Sequence, residues 1–150
     1  MRVVIQRVNS AVVSSSGKVE NKIGKGLLIL LGIETNDDES DVEWLVSKIV
    51  RLRIFDDETG IMNLSVTDVG GAMMIVSQFT LHASTRKGNR PAYIKAARPE
   101  QAIPLYELLV KQIKEASKCE VTTGYFGAHM QVSLINDGPV TIIIDSKSRE

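Results

Sequence analysis

Two short apolar runs constrain this chain most, Leu27 to Leu31 and Ala72 to Val76. A run that is apolar on both faces, rich in aliphatic residues and bounded by turn formers reads as a buried central strand. The second run switches abruptly to Ser77-Gln78-Phe79-Thr80 and ends in a basic loop, Arg86-Lys87-Gly88-Asn89-Arg90-Pro91. Hydroxyl and amide side chains where such a strand meets solvent stand on a rigid base. The stretch from Met73 to Pro91 is therefore where a site is expected.

With 150 residues the chain is read as one domain spanning 1–150, long enough to bury a real core. Formal net charge is zero, so any contact with nucleic acid must rest on a local patch rather than a global field. The apolar residues between Arg2 and Arg7 are too few for a signal-peptide core, and Leu27–Leu31 is too short to cross a bilayer. A single cysteine, Cys119, excludes an internal disulfide and suits a reducing compartment, so the expected location is the cytoplasm.

Along the chain, Val3–Val8 and Ala11–Ser14 read as two strands of a hairpin turning at Asn9-Ser10. A turn at Ser15–Lys18 and a short strand at Val19–Ile23 follow. The acidic run from Asn36 to Asp41 reads as a helix start, because carboxylates in a first turn offset the positive end of the dipole. Ser40 with Glu43 has capping-box spacing, and Val42, Leu45, Val46 and Ile49 share one helical face. A metal site is the sharper alternative for the acidic run, but the alternating Asp pattern and glycine of a calcium loop are missing.

Leu52–Phe55 and Ile61–Val66 read as strands around an Asp-rich turn. Ala102–Lys118 reads as a second helix whose start is confined by Pro99 and Pro104. Glu120–Thr123, Gln131–Ile135 and Val140–Ile144 complete the strands, the last two joined by a hairpin turn at Asn136-Asp137-Gly138-Pro139. The layout predicts an α+β fold, a single domain with a largely antiparallel, barrel-like sheet and two main helices.

For chemistry, continued strand alternation would put Gln78, Thr80 and His82 on one side and Ser77 and Phe79 on the other. A hydrolase could use Ser77 or Thr80 as nucleophile with His82 or His129 as base. Neither hydroxyl lies in a Gly-x-Ser-x-Gly elbow, and no acid is placed to orient a histidine. Arg86, Lys87, Arg90, Lys95 and Arg98 fall in one segment free of acidic residues. That concentration suits phosphate contacts, and a plain solvated loop explains it equally. At Gly138-Pro139, the missing Cβ lets bare backbone approach a ligand.

These segments together resemble the D-aminoacyl-tRNA deacylase family. The likeness runs from Met1–Val8 through Gly26–Leu28, Asn63–Val66, Asp68–Gly71, Ser77–Leu81 and Arg86–Pro91, then through Thr123–Ala128 to Asn136–Thr141. Ser-Gln-Phe-Thr and Gly-Pro-Val-Thr in this order are a specific pair. His82, Ser84 and His129 depart from residues common in the family, and none is assigned a catalytic role.

The resemblance implies hydrolysis of the ester joining a D-amino acid to the 3′ end of tRNA, without cofactor or metal. It implies a homodimer with sites at the subunit interface, where Gly138 and Pro139, in the cis form, reach into the partner's pocket. Their carbonyls would hold the substrate α-amino group and leave room for a D side chain or a hydrogen, but not an L side chain. Such steric exclusion discriminates strongly, yet it cannot reject glycine, so glycyl-tRNA is an expected substrate. The implied catalytic stretch is Ser77, Gln78, Phe79 and Thr80, with the amides of Phe79 and Thr80 stabilising the oxyanion. The proton is moved by the ribose 2′-OH or by Thr80, a choice the sequence leaves open. Phe126 would stack on the terminal adenine, Arg7 would buttress the Gly-Pro loop, and Lys87 and Arg90 would hold acceptor-stem phosphates.

Overall fold

The computed structural model describes residues 1–16 and 21–149. In chain order the elements are β1 (Arg2–Ser14), β2 (Asn21–Ile23), β3 (Gly26–Gly32), α1 (Glu39–Arg51), β4 (Phe55–Asp56), β5 (Met62–Leu64) and β6 (Ala72–Ser77). A 3-10 turn (Phe79–His82), α2 (Pro99–Ser117), β7 (Val121–Thr123) and β8 (Gln131–Asp145) complete them. The main sheet runs β2-β1-β3-β6-β7, with β8 on the other edge of β1. Pairings of β1 are antiparallel, whereas β3–β6 and β6–β7 are parallel, so the sheet is mixed at its centre. The Asn21 side-chain amide donates to the Thr123 carbonyl at 2.7 Å, tying β2 to β7 and nearly closing the sheet into a barrel.

The two apolar runs form the central parallel pair, in register from Gly26↔Ala72 to Leu31↔Ser77. Each is buried on both faces. Leu27, Ile29, Leu31, Met73 and Ile75 join a core covered by α1 and α2. Leu28, Ala72, Met74 and Val76 join a second core on the opposite face. Full burial of one such aliphatic side chain contributes about 1.5–3 kcal/mol. Gly26 lets the strands meet: a Cβ there would lie 1.9 Å from the Ala72 carbonyl oxygen.

The expected hairpin at Asn9-Ser10 is absent, and β1 is one strand. Its first half pairs with β3 and its second with β2, while β8 follows both halves. Register shifts against β8 on either side of Val8 reverse the buried face. Val3 and Ile5 therefore serve the helix-covered core, and Val8, Ala11 and Val13 serve the other. Asn9-Ser10 holds a bulge instead of a turn.

The expected hairpin at Asn136–Pro139 is also absent. Gln131–Ile135 and Val140–Ile144 do not pair with each other; both pair with β1 as parts of β8. Between Val8↔Asn136 and Gln6↔Thr141, only Arg7 on β1 faces Asp137–Val140, so Gly138-Pro139 is thrown outward as a wide bulge. The Gly138–Pro139 peptide is cis.

Helix α1 starts at the acidic run, but its cap is Asp38 with Asp41 rather than Ser40 with Glu43. The Asp38 carboxylate accepts from the Ser40 amide at 2.9 Å, and Asp41 accepts from the Asp38 amide at 3.0 Å. Val42, Leu45, Val46 and Ile49 are buried as their spacing requires. Helix α2 starts at Pro99 and carries Pro104 inside it, at its sixth position, where the missing N–H removes one helix bond on an exposed face. The strands expected at Leu52–Phe55 and Ile61–Val66 shrink to β4 and β5. Of the segment 15–23, residues 17–20, with half of the expected turn and the start of its strand, lie outside the described residues. No helix among the described residues is long and apolar enough to cross a membrane.

Candidate active site

Beyond Ser77 the chain does not continue as a strand. The Gln78 amide donates to the Leu31 carbonyl at 2.7 Å, and the backbone then tightens into the 3-10 turn, closed by Leu81 N–H to Gln78 O at 3.2 Å and Ala83 N–H to Thr80 O at 3.0 Å. The alternation expected for Gln78, Thr80 and His82 is therefore broken at Phe79. The first N–H groups of a helical turn have no intrahelical acceptor, so those of Phe79 and Thr80 lead the turn as donors. The Gln78 side-chain amide donates to the Thr80 hydroxyl oxygen, fixing that side chain across the turn.

The turn borders a cleft of about 630 Å³ lined by Ser77, Gln78, Phe79, Tyr93, Arg98, Phe126 and His129 over a floor that includes Leu31 and Val76. Phe79 is 56% exposed and Phe126 37% exposed, a large apolar surface left open on a rigid frame. Tyr93 packs edge-on against Phe79, with ring centroids 5.0 Å apart. Tyr106 of α2 does the same behind Phe126 at 5.6 Å. The Tyr106 hydroxyl donates to the Ile75 carbonyl at 2.9 Å, which also accepts from the Gly124 amide at 2.9 Å. Burial pushes the Tyr106 phenol up to about 12, with a hydrogen bond involving Thr123 opposing the shift, so it stays a neutral donor.

Thus Ser77, Gln78, Phe79 and Phe126 come together, with Thr80 on the same turn. Lys87 and Arg90 lie exposed on the loop between Ser84 and Ala92, which exchange backbone hydrogen bonds of 2.8 and 2.9 Å. Arg7, Gly138 and Pro139 do not line this cleft. Arg7 is buried: it donates to the Ile54 carbonyl at 2.6 Å and pairs with Asp56 at 3.2 Å and Asp137 at 3.0 Å. Gly138 and Pro139 are exposed. Gly138 has φ +126°, and a Cβ there would meet Val140 Cγ2 at 2.7 Å and Arg7 Nη2 at 3.4 Å.

A side-chain triad has little geometric support. His82 is buried with Nδ1 3.7 Å from Glu34, and its Nε2 has no partner among the described residues. His129 lines the cleft but is exposed. Among the described residues, neither histidine hydrogen-bonds Ser77 or Thr80. Sequence reasoning missed Tyr93 as a cleft residue and Arg98 as part of its rim. The aromatic ring directly after the basic loop was the available signal for the first.

The cleft thus joins Ser77, Gln78 and Phe79 of the turn to the exposed ring of Phe126, and Tyr93 on its wall follows directly on the exposed basic loop. A family model described as D-Tyr-tRNA(Tyr) deacylase matches residues 4–145. The D-aminoacyl-tRNA deacylase of Bacteroides thetaiotaomicron is 57% identical over 150 residues, covering all of both chains. That of Flavobacterium psychrophilum is 60% identical over the same full span. A solved structure of the c-Myc DNA Unwinding Element Binding Protein superposes with TM-score 0.91 at 40% identity, covering 97% of this chain and 98% of its own. The chain belongs to the D-Tyr-tRNA(Tyr) deacylase family, a family of hydrolases.

Proposed function

We propose that this single-domain chain hydrolyses the ester of D-aminoacyl-tRNA, releasing the D-amino acid and free tRNA, and so removes mischarged tRNA before translation. The full-length likeness to enzymes named for that activity supports this. The observation in the molecule that carries it is the meeting of the Ser77–Thr80 turn with Phe126 in one cleft. An aminoacyl ester is already activated, so two preorganised N–H groups at Phe79 and Thr80 suffice to stabilise the oxyanion. The proton comes through the substrate's own 2′-OH or the Thr80 hydroxyl. Phe126 stacks on the terminal adenine, and Lys87 and Arg90 hold phosphates of the acceptor stem.

The chiral filter sits on the partner. The exposed bulge at Gly138-Pro139 cannot shape its own protomer's cleft, and the Arg7 brace holds it outward. In a homodimer it enters the partner's cleft, where its carbonyls take the substrate α-amino group and exclude an L side chain. Among the described residues β8 pairs only with β1, and Ile135 is 60% and Ile143 67% exposed, which favours burial against a second copy. Glycine passes the same filter, making glycyl-tRNA a substrate. Work on freshly charged tRNA places the enzyme in the cytoplasm.

Mixing two inactive variants tests the shared site. Phe79→Gly with Phe126→Leu disables the cleft of one chain, and Gly138→Val disables the bulge of the other. Mixed dimers then hold one intact site, so activity on D-tyrosyl-tRNA should return to roughly a quarter of wild type. No recovery, with mixed dimers demonstrated, would mean that cleft and bulge act within one chain and would overturn the shared site.

A further inference from the structure

Tyr93 is an exposed aromatic residue that none of the roles above uses. It is 39% exposed and follows directly on the Ser84–Ala92 bridge that closes the basic loop. Its segment is firmly held. Ala96 N–H donates to the Tyr93 carbonyl at 3.1 Å, Thr35 N–H to the Lys95 carbonyl at 3.0 Å, and Ala97 N–H to the Ile33 carbonyl at 2.9 Å. One edge of the aromatic cluster is Phe79, in contact with Tyr93, and Phe126 stands in the same cleft. Arg86, Lys87 and Arg90 lie exposed on the loop just before it.

Cations, then a rigidly mounted open ring, then a cleft with a second open ring form a sequence that suits a single strand. Phosphates follow the cations, and bases stack on aromatic faces whatever their identity. The 3′ end of a tRNA is single-stranded. With its last nucleotide at Phe126, a strand whose preceding phosphates follow the basic loop would pass Tyr93, which lines the same cleft as Phe126 and follows that loop directly in the chain. We propose that Tyr93 is a second stacking platform, taking a base on the 5′ side of the terminal adenosine. This rests on Phe126 holding the terminal adenine.

The test is a substrate ladder of D-tyrosyl-adenosine, D-tyrosyl-CCA trinucleotide and full D-tyrosyl-tRNA, assayed with wild type, Tyr93→Leu, Tyr93→Trp and Phe126→Leu. Tyr93→Leu should raise KM about tenfold more on the trinucleotide and the tRNA than on D-tyrosyl-adenosine, while any loss from its contact with Phe79 is shared by all three substrates. Tyr93→Trp, with a larger face, should hold or lower KM on the trinucleotide. Equal KM losses on all three substrates, or none on any, would overturn the platform. So would a Trp variant as impaired as the Leu variant, which also decides the matter should Tyr93→Leu fold poorly. Phe126→Leu is read separately: its KM must rise on D-tyrosyl-adenosine itself, and failure there removes the adenine assignment rather than only the role of Tyr93.

Discussion

Arg7 Nε lies 3.0 Å from Asp137 Oδ2 and 3.3 Å from the Asp137 carbonyl oxygen, immediately before Gly138-Pro139. The same guanidinium reaches Ile54 and Asp56 at the start of β4. One buried cation on β1 therefore joins the bulge of β8 to a neighbouring hairpin. Arg7→Met should cost about 1–3 kcal/mol in urea unfolding, because its carboxylate partners are partly exposed and retain water. More tellingly, it should lower the D/L rate ratio while leaving KM for tRNA near wild type. An unchanged ratio in a folded variant would disconnect Arg7 from selectivity.

Gly138→Ala tests the bulge backbone. A side chain at φ +126° is strained, and its Cβ would press on Val140 Cγ2. Deacylation of D-tyrosyl-tRNA should fall at least tenfold, with a melting temperature only a few degrees lower. Full activity would show that the bulge does not contact substrate.

Ile143→Lys tests the β8 face. Ile143 is 67% exposed on the strand edge proposed to meet a second copy. Sedimentation should show a dimer for wild type and a monomer for the variant, with activity lost in parallel. A fully active monomer would eliminate the shared site.

The route of the proton separates by substrate. A 3′-aminoacyl-tRNA ending in 2′-deoxyadenosine should be deacylated at least a hundredfold more slowly than the ribose form, if the 2′-OH moves the proton. Thr80→Val should then retain most activity. Loss with Thr80→Val and indifference to the 2′-OH would assign the step to Thr80. A serine-directed reagent should leave no covalent adduct in either case.

Acid stability has a specific source in Asp41. Burial opposes its ionisation, but hydrogen bonds from Lys147, Ser146 and the Asp38 amide outweigh burial and bring its pKa down to about 2. Lys147 Nζ sits 2.6 Å from Asp41 Oδ2. A carboxyl depressed in the folded state stabilises it above the unfolded value and loses that contribution as pH falls from about 4 through about 2. Asp41→Asn should therefore weaken the protein at neutral pH and flatten its loss of stability across that window, as followed by circular dichroism. A slope equal to wild type would place the acid sensitivity elsewhere.

The central strands were legible because a run buried on both faces needs no partner to be recognised: Leu27–Leu31 and Ala72–Val76 fall where expected. Helix α1 was legible from its period, although its cap was not. Asp38 and Ser40 both suit the role, and Asp38 wins through bonds to the Ser40 and Asp41 amides. Both expected hairpins failed for one reason. Asn9-Ser10 and Asn136–Pro139 are turn formers locally, but each lies along the β1–β8 ladder, where they make bulges instead of reversals. Local chemistry does not report the partner strand. The Ser77–Thr80 stretch was legible from its place at the end of a buried strand and Phe126 only through resemblance, whereas Tyr93 needed coordinates because its role depends on what it stands beside.

The most direct measurement is a parallel deacylation assay of the purified protein on D-tyrosyl-, L-tyrosyl- and glycyl-tRNA. The expected result is rapid hydrolysis of the D-tyrosyl and glycyl esters, with the L-tyrosyl ester surviving as in buffer alone. Comparable hydrolysis of the L and D esters, or an intact D-tyrosyl ester, would contradict a cleft that sorts its substrate by handedness.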